Sequence, residues 1–183
     1  DGTFATEEHE IITGISSTDI YPADLNNDGN TDMLWVDYNI IAWIPNNGDE
    51  TFGDVQIISN QADNTAIVLA ADVDNDGDID VLSASRYSID DPLTTANKIV
   101  WFSNNGNGTF APEEVITTNI DYIRSIATAD LDNDGDLDLA SASYNDNKVA
   151  WYENLLTYLP PPATTPPTAA FNTYPTTTDT LYI

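Results

Sequence analysis

Cysteine is absent from this 183-residue chain, and cations are scarce, with four Lys and Arg residues against 31 Asp and Glu residues. The lack of cysteine excludes disulfide bonds. The formal charge of −27 leaves no basic patch for nucleic-acid phosphates or anionic lipid, so we expect neither as a partner. No apolar run is long enough to span a bilayer. The chain shows no His–acid pair with the spacing of a catalytic site and no phosphate-binding loop, so we expect it not to be an enzyme.

Aspartate is what the chain has in quantity, and it is concentrated in three loops of the form D-x-[DN]-x-D-G-x-x-D. The loops read DLNNDGNTD at 24–32, DVDNDGDID at 72–80 and DLDNDGDLD at 130–138. Calcium takes six to eight oxygen ligands, and loops with oxygens at alternate positions supply them. Positions 1, 3, 5 and 9 offer side-chain oxygens, position 7 offers a backbone carbonyl, and the Gly permits a sharp turn. Each loop therefore predicts a calcium site, and three matches in register disfavour the alternative of a solvated acidic turn.

The segments around these loops predict strands rather than helices. An EF-hand needs Glu at position 12 and flanking helices, but position 12 is Trp or Ser here and the flanks are short apolar runs such as MLWV. A Phe lies 20 residues before each loop, and a W-x-x-N motif follows each loop. In the second unit we predict strands at about 66–71, 79–85, 98–102 and 113–117. Four strands in a repeat of about 50 residues are typical of a propeller blade, so the fold is predicted to be all-β, with about three antiparallel four-stranded blades.

These motifs resemble the FG-GAP/VCBS repeats, the calcium-binding β-propeller repeats also found in integrin α-chain heads. The resemblance covers 1–154 and rests on the Asp loops and the W-x-x-N and G-T-F signatures. It implies about three calcium ions, one per loop, with the weakest binding at the first loop, where two Asn residues stand. It also implies a non-enzymatic, calcium-stabilised scaffold or adhesion module of a secreted or cell-surface protein. The ligand positions that it implies are Asp24, Asn26, Asp28, Asn30 and Asp32; Asp72, Asp74, Asp76, Asp78 and Asp80; and Asp130, Asp132, Asp134, Asp136 and Asp138.

The repeat divides the chain unevenly. We assign blades to 15–59 and 60–118, an incomplete blade without its last strand to 119–154, and the last strand of a preceding or partner blade to 1–14. Two interpretations are open. In the first, the chain is part of a larger propeller. In the second, copies join head to tail through the N-terminal strand and the incomplete last blade, which would build a ring or a surface filament.

The composition changes after residue 154. Residues 155–168 predict an extended Pro/Thr-rich linker, and residues 169–183 resemble the start of a PKD-like domain or form a free strand. Two glycosylation sites are predicted. Asn107 lies in an NGT sequon that also fits a hairpin turn, and Thr180 lies in a DTL sequence similar to the O-glycosylation site of some bacterial surface proteins.

An insertion in the second unit is the predicted partner loop. The first Asp and the Trp are 29 residues apart there, against 19 and 21 in the other units. The longer loop can contact a protein or glycan ligand, although an insertion without function is equally open. The residues that we single out are Arg86, Tyr87, Asp90 and Asp91.

A carbohydrate-binding lectin is a further alternative, because some propellers of the resembling family bind sugars. Trp43, Trp101 and Trp151 share one phase in the repeat, which favours packing between blades over sugar stacking. Trp35 lies outside that phase, so it is the better candidate for an exposed aromatic side chain.

Overall fold

The computed structural model describes residues 2–4, 6–62, 64–86 and 97–155. These residues form eleven β-strands in three antiparallel sheets, and no helix is present among them. The predicted all-β, blade-like architecture is therefore confirmed. The predicted linker from residue 156 onward and the PKD-like segment lie outside the described residues, as do Tyr87, Asp90, Asp91 and Thr180. No helix in the described part of the chain is long and apolar enough to cross a membrane.

Two sheets are four-stranded meanders in which strands adjacent in the chain also pair in space. The first blade contains β1 (Asp19–Ala23), β2 (Asp32–Asp37), β3 (Ile40–Ile44) and β4 (Gln56–Ser59). The second blade contains β5 (Thr65–Ala71), β6 (Asp80–Ser85), β7 (Lys98–Phe102) and β8 (Glu114–Thr117). The third sheet has three strands among the described residues, β9 (Ile123–Ala129), β10 (Asp138–Ser143) and β11 (Lys148–Tyr152).

The blades pack face to face through the alternating apolar residues of their strands. In β2, Leu34 and Val36 are buried and belong to the cluster that the first blade shares with the second. In β6, Leu82 and Ala84 are buried in the cluster shared with the third blade. Residues two apart lie on one face of a strand, so each second strand presents one apolar face to the blade that follows it. The first strands of the blades, β1, β5 and β9, contact one another in sequence.

The tryptophans of the repeat lie largely in these interfaces. Trp43 is buried between the first and second blades, and Trp101 packs against the cluster between the second and third. This placement agrees with the predicted role in blade packing for these two residues, whereas Trp151 is 47% exposed. Trp35 is 4% exposed, so the prediction that it is an exposed aromatic is wrong. It packs with Ile44 on the other face of the first blade.

The described residues of the N-terminal segment lie against that same face. Ile11, Ile12 and Ile15 are partly buried on the Trp35 cluster, and no strand is formed before Asp19 among the described residues. Burial of these apolar side chains holds the segment on the first blade. Its assignment as the last strand of a preceding or partner blade stays a prediction.

Candidate metal centres

Each Asp loop joins the first strand of a blade to the second, so the three loops occupy equivalent places in the fold. Their fourth residue is Asn in every case, and Asn27, Asn75 and Asn133 have φ values of 59°, 58° and 66°. Asn is one of the few residues besides Gly that adopts this left-handed conformation readily. The pattern D-x-[DN]-x-D-G-x-x-D leaves position 4 variable. The repeated Asn was the available signal that the backbone turns there.

The structure brings together the carboxylates at positions 1, 3 and 9. In the second loop, one oxygen each from Asp72, Asp74 and Asp80 lie within 4.8 Å of one another. In the third loop, one oxygen each from Asp130, Asp132 and Asp138 also lie within 4.8 Å of one another. The first loop has Asn26 at position 3, so only two carboxylates stand at the equivalent positions. This difference is consistent with the expectation that the first loop binds calcium most weakly.

The side chains at position 5 stabilise the turn itself. One carboxylate oxygen of Asp28, Asp76 and Asp134 accepts a hydrogen bond from the backbone N–H of position 7, at 2.8, 2.8 and 3.2 Å. A carboxylate has about four lone-pair sites, so these residues retain oxygens for an ion. They do not belong to the triads of positions 1, 3 and 9.

The side chains at position 7 lie against the Asn-Gly hairpin turn of the same blade. A Cβ atom added at Gly106 would lie 2.5 Å from Asp78 Oδ2, and one added at Gly48 would lie 2.6 Å from Asn30 Oδ1. Both glycines also have positive φ. The Asn-Gly turn in the first and second blades therefore needs glycine for two reasons, backbone conformation and the close approach of the Asp loop.

The aspartates at position 9 are buried, and both of their oxygens accept backbone N–H groups. Asp80 accepts from Val73 at 3.0 Å and from Asn104 at 2.8 Å. Asp32 and Asp138 make the equivalent pairs, with Leu25 and Asn46 and with Leu131 and Asn154. Each of these carboxylates therefore ties the loop to the Asn of the W-x-x-N motif.

That Asn also reaches the neighbouring blade. The side-chain amide of Asn104 donates to the carbonyl of Leu25 in the first blade at 2.8 Å, and Asn154 donates to the carbonyl of Val73 in the second blade at 2.8 Å. In the sequence, this Asn is visible only as a repeated residue of the W-x-x-N motif. Its partner lies 79 or 81 residues away in the chain, so no local pattern predicts the contact.

The fit of a hard cation to these loops is supported by unpartnered oxygens. Asp72 Oδ1 and Asp136 Oδ1 are buried and have no hydrogen-bond partner among the described residues. A buried polar atom without a partner is costly, and a cation placed among the carboxylates would satisfy it. The side-chain donors are all oxygens, which suits calcium or magnesium rather than softer metals. The residues present therefore fit calcium.

The electrostatics of the loops also favour a bound cation. Desolvation raises the pKa of Asp80 to about 6, with a contribution from the nearby charge of Asp74. Desolvation also raises the pKa values of Asp32 and Asp74, and neighbouring loop carboxylates add to both shifts. Keeping the carboxylates of the second loop ionised therefore costs free energy, and a bound divalent cation would offset that cost.

The other predicted site residues lie elsewhere. Asn107 is exposed in the hairpin turn, where its Oδ1 accepts from the N–H and the hydroxyl of Thr109. Asp49 makes the same contacts with Thr51 in the first blade, so the residue has a structural role in both turns. Glycosylation of Asn107 stays a prediction. Arg86 lies at the end of β6 over the ring of Tyr122.

Comparisons with known proteins identify the repeat. The family model described as FG-GAP-like repeat matches residues 24–83, 87–141 and 130–180. The third match runs through the predicted linker at 155–168 and into the segment 169–183. The resemblance of that segment to a PKD-like domain stays a prediction. No curated protein matches the sequence significantly. A solved structure reported for specific recognition of non-reducing terminal N-acetylglucosamine by an Agrocybe aegerita lectin matches with 23% identity and a TM-score of 0.49, over 75% of this chain and 38% of that chain.

Proposed function

Because this chain belongs to the FG-GAP-like repeat family, we propose that it is a calcium-stabilised, non-enzymatic scaffold or adhesion module of a secreted or cell-surface protein. FG-GAP-like repeats are typical of extracellular propeller modules. The observation that carries the proposal is the pair of carboxylate triads, each joining two strands and accompanied by a buried oxygen without a donor. The affinity of extracellular calcium modules, roughly 0.1–1 mM, suits a calcium-rich medium outside the cell.

Calcium bound in the loops would stabilise the seams between blades as well as the loops. The ion supplies positive charge among the carboxylates at positions 1, 3 and 9. The position 9 carboxylate Asp80 holds the backbone of Asn104, and the side chain of Asn104 holds the carbonyl of Leu25 in the preceding blade. Ordering of one loop is thereby coupled to the packing of two blades.

Thermal unfolding with calcium and with a chelator tests this proposal. At calcium concentrations ten to a hundred times Kd, each occupied site adds about 1.4 to 2.7 kcal/mol. We expect the melting temperature to rise with calcium and the rise to shrink in Asp74→Asn. Asp54→Asn, which changes an exposed acid outside the loops, is the matched control and should respond like the parent chain. Equal melting temperatures with and without calcium would refute the proposal.

Self-association is a second candidate function, and the exposed face of the third blade favours it. Val149, Trp151 and Leu131 are 82%, 47% and 47% exposed. Their counterparts in the first blade, Ile41, Trp43 and Leu25, are 0%, 4% and 0% exposed because the second blade covers them. A second copy of the chain presents the same kind of repeat and would cover this face in a head-to-tail assembly. Exchange of the N-terminal segment is the predicted route, and the product would be a filament or ring.

The molar mass measured in the presence of calcium distinguishes a single chain from a head-to-tail assembly of copies. Light scattering should show a mass above that of one chain if copies associate, and the excess should disappear in Val149→Asp. Val115 is 54% exposed on the second blade, and Val115→Asp is the control for a charge added to an exposed strand. A single-chain mass at all concentrations would exclude the filament. Binding to neutral sugars stays a prediction.

A further inference from the structure

Both arginines of the chain converge on one tyrosine at the seam between the second and third blades. The guanidinium carbon of Arg86 lies 5.4 Å from the centroid of the Tyr122 ring, and that of Arg124 lies 4.6 Å from the same centroid. Arg124 also lies 5.2 Å from the ring centroid of Tyr144. The two tyrosine rings are arranged edge to face at 6.4 Å. We call Arg86, Tyr122, Arg124 and Tyr144 the Arg–Tyr cluster.

Among the described residues, the two arginines form no ion pair, although the protein is strongly acidic. The four cations of the sequence are Arg86, Arg124, Lys98 and Lys148, set against 31 acidic residues. Both lysines pair with carboxylates, Lys98 with Glu113 and Lys148 with Asp146. Neither arginine makes a salt bridge among the residues that the structure describes. Two guanidinium groups held over one ring, with no carboxylate partner in the described part of the chain, can offer their bidentate N–H donors to an anion.

The cluster borders a groove that is separate from the calcium loops. The groove has a volume of about 430 Å³ and runs between the first strands of the three blades, β1, β5 and β9. Arg124 stands near the beginning of β9, whereas the third calcium loop follows the end of that strand, roughly 20 Å away along an extended strand. Asp19 also lines the groove, but its two oxygens accept the N–H groups of Val68 and Ile20.

The available chemistry selects a single carboxylate carried on a sugar ring. A planar guanidinium matches a carboxylate in a two-bond contact. Tyr144 is 64% exposed although Arg124 lies over its ring, and the exposed part of the ring can contact the C–H face of a pyranose. A polyanion is disfavoured, because the chain as a whole carries a formal charge of −27. We propose that the Arg–Tyr cluster is a binding site for an acidic monosaccharide unit of the uronic acid type, either free or at the end of a glycan.

Titration of the full chain with methyl glucuronide by NMR or calorimetry, in calcium at moderate salt, tests the proposal. We expect saturable binding, a loss of at least tenfold in affinity in Arg124→Gln, and a similar loss in Arg86→Gln. Lys98→Gln removes the same charge from a paired residue outside the groove, so it should bind like the parent chain. Methyl glucoside, which lacks the carboxylate, should bind at least tenfold more weakly.

Three outcomes would overturn the assignment. Unchanged binding in Arg124→Gln would place the carboxylate elsewhere, including on a calcium ion, since the three calcium loops are intact in that variant. Equal binding of methyl glucoside would remove the need for a carboxylate. Equal binding of a blocked aspartate amide, together with unchanged binding in Tyr144→Ala, would replace the sugar with an acidic peptide. Calcium-dependent melting of each variant, measured alongside, reports on the scaffold separately from the site.

Discussion

At the scale of single residues, position 1 of the second loop gives the sharpest contrast between the calcium-free and calcium-bound protein. Asp72 Oδ1 is buried without a donor, while Oδ2 accepts the N–H of Gly77 at 3.2 Å. Removing its charge relieves repulsion when calcium is absent and removes a ligand when calcium is present. We therefore expect Asp72→Asn to raise the melting temperature in chelator and to lower it in calcium.

The matched control for that change is Asp121→Asn, an acid outside the loops whose Oδ1 accepts from Asn145. Its effect on melting should have the same sign with and without calcium. A shift of the same sign in both conditions for Asp72→Asn as well would mean that Asp72 is not a ligand.

The Asn of the W-x-x-N motif gives a second prediction at the residue scale. The amide of Asn104 donates to the carbonyls of Leu25 and Ile79, both at 2.8 Å, and Asn104 is 2% exposed. Asn104→Ala leaves these carbonyls without their donor, which costs about 1–3 kcal/mol. The side-chain amide of Asn46 donates to the carbonyl of Thr31 within its own blade, at 3.0 Å. Asn46→Ala should therefore cost less in the free energy of unfolding measured with urea, and equal costs would contradict a role in joining blades.

At the scale of the structural elements, strand positions are predictable from the sequence because apolar runs and turn residues are local signals. In the second blade the predicted strands differ from the observed bounds by one residue at most. The conformation of the N-terminal segment is not predictable in this way. Residues 1–14 match the last strand of a blade in sequence, yet Ile11 and Ile12 lie on the Trp35 cluster. Such a placement depends on which apolar face is available in the folded protein.

Dependence on the folded structure also explains why the burial of Trp35 and the Arg–Tyr cluster could not be predicted from the sequence. Trp35 follows a polar loop, which suggested exposure, but it belongs to β2 and the N-terminal isoleucines cover its face. Arg86 and Tyr122 are far apart in the sequence and meet only because the end of β6 lies beside the start of β9. The carboxylate triads of the second and third Asp loops were predictable because their residues lie within nine consecutive positions.

The first calcium loop gives a prediction at the scale of an element. Its Asn26 stands where the second and third loops have Asp74 and Asp132, which belong to the carboxylate triads. Asn26→Asp completes the third carboxylate, and we expect it to raise the calcium affinity of this loop by about tenfold, or about 1.4 kcal/mol. Calorimetric titration of calcium measures the change. Asn60→Asp, an exposed addition of charge outside the loops, is the control, and an equal gain there would show that overall charge is responsible.

At the scale of the whole molecule, the loops make the calcium-free protein sensitive to pH in an unusual direction. An Asp whose pKa is raised in the folded state, as for Asp80 to about 6 from 3.8, binds more protons when folded than when unfolded between those values. The stability that its protonated form provides is fully present below pH 3.8 and is lost as the pH rises through about 6. Asp32 and Asp74 shift in the same direction. Asp49, whose pKa is lowered by hydrogen bonds from Thr51, acts in the opposite direction.

We therefore expect the melting temperature of the chelated protein to fall from pH 4 to pH 6.5, whereas many proteins gain stability over that range. Calcium should reverse the slope, because carboxylates must lose their protons to bind the ion. Asp80→Asn should flatten the chelated profile, and Asp54→Asn should leave it unchanged. A chelated protein that grows more stable between pH 4 and pH 6.5 would show that the loop carboxylates are solvated as in the unfolded chain. The carboxylate triads, in which only Asp80 and Asp138 are buried, would then not be the origin of the proposed calcium stabilisation.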